Sequence, residues 1–233
     1  MTNYTTAQSQ AQSMLSSLFK SLYMQMAAAL TVTGLTAYFL SQSDAFITFL
    51  FSSPSFVWIC LFAELGVVWW LSSRVMRMSM GSATLLFILY SVLTGMTFST
   101  IFLVYDLETV ATTFFVTAGT FFAMSLIGYL TKMDLSRVGN VLYMMLIGLV
   151  IASVVNIFVA WSTLDWIITY AGVIIFVGLI AFDTQKIKHL FLEYGAADEV
   201  GQKLSLLGAL TLYLDFINLF LFLLRIFGGS SRD

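Results

Sequence analysis

Residues 166–183 read WIITYAGVIIFVGLIAFD, and residues 204–228 read LSLLGALTLYLDFINLFLFLLRIFG. Both stretches are long and apolar enough to be lipid-soluble helices, yet each carries one carboxylate, Asp183 at the end of the first and Asp215 inside the second. Between them KIKHLFLEYGAADEVGQK (186–203) sets Gly195 and Gly201 around an acidic polar cluster, which suits a turn between antiparallel helices. Asp183 lies sixteen residues before Glu199 and Asp215 sixteen after it, so a hairpin turning there brings both carboxyls to similar depth. An aspartate at a helix centre in lipid costs at least about 2.5 kcal/mol, so such a residue is a functional candidate by default. Two carboxyls held close in a poorly hydrated place cannot both ionise cheaply and titrate as a unit, which predicts a proton-sensitive cation site. The alternative is that each is satisfied separately by an Arg, Lys or hydroxyl and serves packing alone.

The rest of the chain fits a membrane setting. Of 233 residues 60% are hydrophobic and 9% charged, where a soluble domain carries about 25% charged residues. The net charge of −2, with no basic stripe, excludes a nucleic-acid partner. Cys60 stands alone, so neither an intramolecular disulfide nor a CxxC metal pair can form. Residues 1–19, rich in Gln, Ser and Thr and without charge, predict a disordered N-terminal tail, followed by one transmembrane domain over 20–229.

Seven apolar runs lie beyond the tail, at 22–40, 56–71, 83–104, 110–130, 138–161, 166–182 and 204–227. The predicted fold is therefore an all-α integral membrane bundle of seven helices. The first run is too long for a signal-peptide core and reads as a retained helix. Pro54, the only proline, marks the start of the second. Arg74 and Arg77, Lys132 and Arg137, and Lys186, Lys188 and Lys203 fall in even-numbered connections, with Lys20 on the tail. The odd connections hold only acidic charge, Asp44, Asp106, Glu108 and Asp165, which puts the N-terminus in the cytoplasm and the C-terminus outside. Arg225 and Arg232 break that pattern, and six spans with a re-entrant last segment would accommodate them. Glycines 34, 66, 95, 119, 128, 148, 172, 178 and 208 recur within the spans and predict close helix packing in lipid.

Other polar residues extend the candidate list. Glu64 lies midway along the second run and is expected to face the bundle interior, either as a pore acid or as a protonated packing residue. Arg74 falls near the cytoplasmic end of that run, the side on which Asp183 leaves the sixth, so it reads either as a latch on Asp183 or as an arginine snorkelling to the headgroups. Asn156 and Asn218 read as interhelical hydrogen-bonding residues. His189, the only histidine, lies in a polar connection, which removes a His-based intramembrane hydrolase and any multi-His metal site. No lysine is central to a span, which removes a retinal Schiff base. An intramembrane aspartyl protease usually shows GxGD, whereas the flanks here are IAFD and LYLD. The chain is expected not to be an enzyme.

Three motifs carry a family resemblance: GMTFSTIFLVYD at 95–106, AFDTQKIK at 181–188 and LYLDFINLFLFLLRIFG at 212–228. Together they resemble the Bax inhibitor-1 family, and the likeness covers nearly everything after the tail. The resemblance implies a seven-helix fold with the last helix central, and a pH-sensitive calcium leak as the activity. It implies that Asp183 and Asp215 are the pore aspartates, that Arg74 is the arginine latching the closed form, and that Glu64 is an acidic position of the second helix. The expected protein is a monomeric, cofactor-free passive pathway in a bacterial inner membrane, with calcium as the transported ion. Two carboxylates cannot supply the six to eight oxygens calcium prefers, so binding there is expected to be weak and transient. The rival expectation is a non-conducting regulator that binds membrane proteases or stress and cell-death proteins.

Overall fold

The structure, a computed structural model, describes residues 2–53, 55–195 and 198–229, with side chains from residue 10 onward. Pro54 and Arg232, used above for a helix start and for topology, lie outside the described residues. All regular structure among them is helical: α1 (Thr2–Ser41), α2 (Asp44–Ser52), α3 (Ser55–Arg74), α4 (Met80–Phe98), α5 (Ile101–Val104), α6 (Leu107–Leu130), α7 (Ser136–Val159), α8 (Ser162–Tyr194) and α9 (Glu199–Gly229). A short 3-10 turn, Val75–Arg77, comes directly after α3.

Six helical segments are long and apolar enough to cross a membrane: Ser55–Arg77, Met80–Val104, Leu107–Leu130, Ser136–Val159, Ser162–Tyr194 and Glu199–Gly229. Large apolar side chains such as Trp69, Phe115 and Phe158 stand exposed on them, as a lipid-facing surface requires. These six correspond to the second through seventh predicted runs. The first, 22–40, is helical but is not among the six, since Gln25, Thr31, Thr33 and Thr36 dilute its apolar character. The predicted disordered tail is also helical from Thr2, as the start of α1. Leu15, Leu18, Phe19 and Leu22 recur at three- and four-residue steps and are buried, so the segment has a helical apolar face that its overall polar composition concealed.

The chain packs as two compact units, Met1–Asp106 with Leu190–Tyr213, and Leu107–His189 with Leu214–Asp233. In the first, α1 packs on α4, and Gly95 brings α4 so close to Thr33 and Thr36 that no β-carbon would fit. In the second, the buried face of α6 is Val110, Thr113, Thr117, Phe121, Ser125 and Gly128, again at helical steps. A β-carbon at Gly128 would meet the Ala181 carbonyl of α8, and one at Gly139 the Phe182 ring. Gly172 abuts Phe222, and Gly178 abuts Leu142. Small residues at these seams let helices approach where no hydrophobic force drives them together.

Helix α8 ends at Tyr194 and α9 begins at Glu199, so the break between the aspartate-bearing helices lies within the polar stretch that the sequence marks for it. Asp198 caps α9, its Oδ1 accepting from the Val200 and Gly201 amides at 3.0 and 3.1 Å. Helix α8 overruns its apolar run by a dozen residues. Its 33 residues span about 50 Å, well beyond a ~30 Å hydrocarbon core, so Asp183 lies inside a continuous helix and not at its end. The two asparagines differ from expectation. Asn156 accepts from the Trp161 amide at 3.0 Å, and Asn218 donates to Leu214 of its own helix at 2.8 Å. Asn156 sits in the last turn of α7, beside the turn in which Ala160 adopts a left-handed backbone, and that turn needs an acceptor.

Candidate functional site

Asp183 and Asp215 both belong to the second unit, and both are buried. Asp183 is held from α7: the Tyr143 hydroxyl lies 3.0 Å from Oδ1 and 3.2 Å from Oδ2 and donates to the carboxyl. Asp215 Oδ2 meets no donor among the described residues. Its neighbour is the Asp183 carboxyl, and a contact between two carboxyls becomes a hydrogen bond when one of them carries a proton. On α9 the residue after Asp215 is anchored: Phe216 is edge-on to Phe114 and Phe121 of α6, with ring centres 5.5 and 5.6 Å away.

The residues after Asp183 lock α8 to its neighbours one by one. The Thr184 hydroxyl meets that of Ser125 at 2.9 Å. Gln185 clamps the turn between α6 and α7 with both ends of its amide, donating to the Met133 carbonyl at 2.7 Å and accepting from the Leu135 amide at 2.9 Å. Lys188 donates to the Tyr129 carbonyl at 2.7 Å, satisfying a group in the last turn of α6. Lys186 points its ammonium over the Tyr143 and Phe182 rings, at 5.8 and 5.9 Å from their centres. The motif 181–188 is therefore a run of anchors around one carboxyl.

Glu64 sits in the first unit, half-buried. Thr97 donates to its Oε1 at 2.6 Å, and Thr94 is a second hydrogen-bond partner. Thr94 also meets Tyr90 and Tyr213, and the Tyr213 hydroxyl lies 2.6 Å from that of Thr33, which donates to the Ser91 carbonyl at 3.0 Å. This acid is thus embedded in a hydroxyl cluster. Arg74, also in the first unit, is exposed at the end of α3 with its guanidinium 4.4 Å from the centre of the Trp70 ring.

Among the described residues, no three His, Cys, Asp or Glu side chains gather to hold a metal. The carboxyl pair can bind a proton between its two members, or a cation whose shell water and backbone complete. Outside the spans, Asp134 has its carboxyl held below the usual range by the Ser136 hydroxyl and amide. Tyr143, Gln185 and Lys186 are not evident as site residues from the sequence, because their roles depend on which helix face meets which neighbour. For Lys186 there is a partial signal, its position one helical turn after Asp183.

Fold and site define an all-helical, multi-pass membrane protein that keeps two carboxyls buried against each other. The family described as "Inhibitor of apoptosis-promoting Bax1" matches residues 15–232. The chain is 50% identical over 209 residues to "Inner membrane protein YbhL" of Escherichia coli (strain K12), covering 89% of each. It is 45% identical over 212 residues to an uncharacterized protein of Rickettsia prowazekii, covering 91% of this chain and 89% of that one. It is 39% identical over 208 residues to an uncharacterized protein of Borreliella burgdorferi, covering 89% and 90%. The chain belongs to the Bax inhibitor-1 family.

Proposed function

We propose that this protein is a pH-sensitive passive pathway for cations, calcium foremost, with Asp183 and Asp215 as proton sensor and transient ion site. The observation that carries this is the buried Asp215 Oδ2, which meets no donor and faces a second carboxyl. A pair serving packing alone would be expected to have each oxygen satisfied, because an unmet buried polar group costs about 1–3 kcal/mol. A proton or a passing cation supplies what is missing. Mild acidification loads the pair with a proton and favours the open state, while full protonation removes the negative charge that attracts cations, so flux rises and then falls. Arg74 acts as a latch that keeps the pathway closed while the aspartates are ionised, and Glu64 is a further acid along the path.

The protein works as a monomer without a cofactor and catalyses no reaction. It sits in a bacterial inner membrane with its N-terminus in the cytoplasm, 22–40 making the first of seven crossings. The deciding experiment is calcium flux into proteoliposomes across a pH series, wild type against Asp215→Asn. Loss of acid-stimulated flux in the variant supports the role of the pair, and unchanged flux sinks it. A wild type that conducts at no pH, yet binds a membrane protease through its N-terminal segment or inner loops, establishes the regulator instead.

A further inference from the structure

The aspartate pair has a positive neighbour within its own unit. Lys186 lies three residues after Asp183, one turn along the same face of α8. Its ammonium stands over the Tyr143 ring, and the hydroxyl of that ring is the donor to Asp183. Lys186 is exposed while both carboxyls are buried. Three other cationic side chains of this unit are engaged elsewhere: Lys188 with the Tyr129 carbonyl, Arg225 with Asp165 at 3.7 Å, and Arg137 with the field of Asp134. Lys186, by contrast, acts through its field on both members of the pair.

We propose that Lys186 is a tethered counter-cation of the aspartate pair, a specificity-determining residue whose ammonium, parked on the Tyr143 ring, opposes entry of mobile cations in proportion to their charge. This rests on the reading of the pair as an ion site. Coulomb repulsion scales with the charge of the incoming ion, so a divalent ion is opposed twice as strongly as a monovalent one. The lysine thereby keeps divalent occupancy weak and brief. Its four-carbon stem lets the ammonium swing off the ring without a backbone change, which a short or rigid cation could not do.

Terbium binding to the full chain in lipid nanodiscs, read by sensitised luminescence, tests this independently of flux. Lys186→Met keeps the apolar stem and removes the charge; Lys186→Arg keeps the charge; an Asp183→Asn, Asp215→Asn chain defines what the pair contributes. Lys186→Met should bind terbium about tenfold more tightly at low salt, with the gain shrinking at high salt and absent in Lys186→Arg. In proteoliposomes the same variant should raise calcium flux more than potassium flux. If binding depends on the aspartates but Lys186→Met matches wild type, the counter-cation is overturned while the ion site stands. If binding ignores the aspartates altogether, the ion site fails, and the lysine's role with it. Aspartate-dependent binding tightened by Lys186→Met in a protein that passes no calcium supports the counter-cation and sinks the leak.

Discussion

The Tyr143 hydroxyl spans both oxygens of Asp183, at 3.0 and 3.2 Å, and so ties α7 to the carboxyl of α8. A hydrogen bond to a charged group contributes about 1.5–3 kcal/mol, and Phe at 143 removes it while keeping the ring that packs edge-on against Phe182. Tyr143→Phe should therefore lower unfolding stability in detergent by about 1.5–3 kcal/mol. The same change made in an Asp183→Ala chain should cost much less, because the partner is already gone. Equal losses in the two backgrounds would assign the effect to ring packing.

A second prediction separates glycines that make helix seams from glycines that do not. A β-carbon at Gly128 runs into the Ala181 carbonyl, whereas one at Gly148 meets nothing within 4 Å. Gly128→Ala should cost about 1–3 kcal/mol through forced separation of α6 and α8. Gly148→Ala should be neutral or stabilise α7 by about 0.5–1 kcal/mol, the helix-propensity difference. Thermal midpoints of the two variants, measured side by side in one detergent, check both signs.

Acid sensitivity should trace to the buried pair and not to the loop acid Asp134. The Ser136 hydroxyl and amide lower the Asp134 carboxyl below its usual range, so its contribution to stability is present above that range and is lost only as pH falls through the lowered value. Between about pH 7 and pH 5 it stays ionised. Calcium flux into proteoliposomes should keep its acid stimulation in Asp134→Asn and lose it in Asp215→Asn. Loss of the stimulation in Asp134→Asn would move the sensor to the α6–α7 turn.

Helices α3 to α9 were legible in the sequence because six apolar runs stand between charged connections, and charge punctuates a membrane chain sharply. The first run was not so clear, since its threonines and Gln25 make a helix that is long but only moderately apolar. The N-terminal segment reads as disordered by composition alone, whereas Leu15, Leu18, Phe19 and Leu22 form a helical face that Gln and Ser counts hide. Glycine spacing was informative in part. Gly95, Gly128, Gly172 and Gly178 lie at tight contacts, whereas Gly34, Gly66, Gly119 and Gly148 face open space, a distinction that depends on helix rotation. The two aspartates stood out because charge in an apolar run is rare. Tyr143 and Gln185 did not, because nothing in a local window says which neighbour a tyrosine or an amide will reach.

The last prediction concerns Arg74. Its guanidinium lies on the Trp70 ring one turn back along α3, in the last turn, where a cation also complements the helix dipole. That resting place competes with any latching role, so the two should respond oppositely to mutation. Arg74→Ala removes the latch and should raise calcium flux at neutral pH while flattening its acid stimulation. Trp70→Leu removes the competing cation–π contact, about 0.5–1 kcal/mol at an exposed site, and should lower neutral-pH flux by favouring the latched state. Proteoliposome flux for both variants across pH decides the matter. If Arg74→Ala and Trp70→Leu both keep the wild-type flux and pH profile, Arg74 is a surface arginine stacked at the headgroups, and the gate lies elsewhere in the chain.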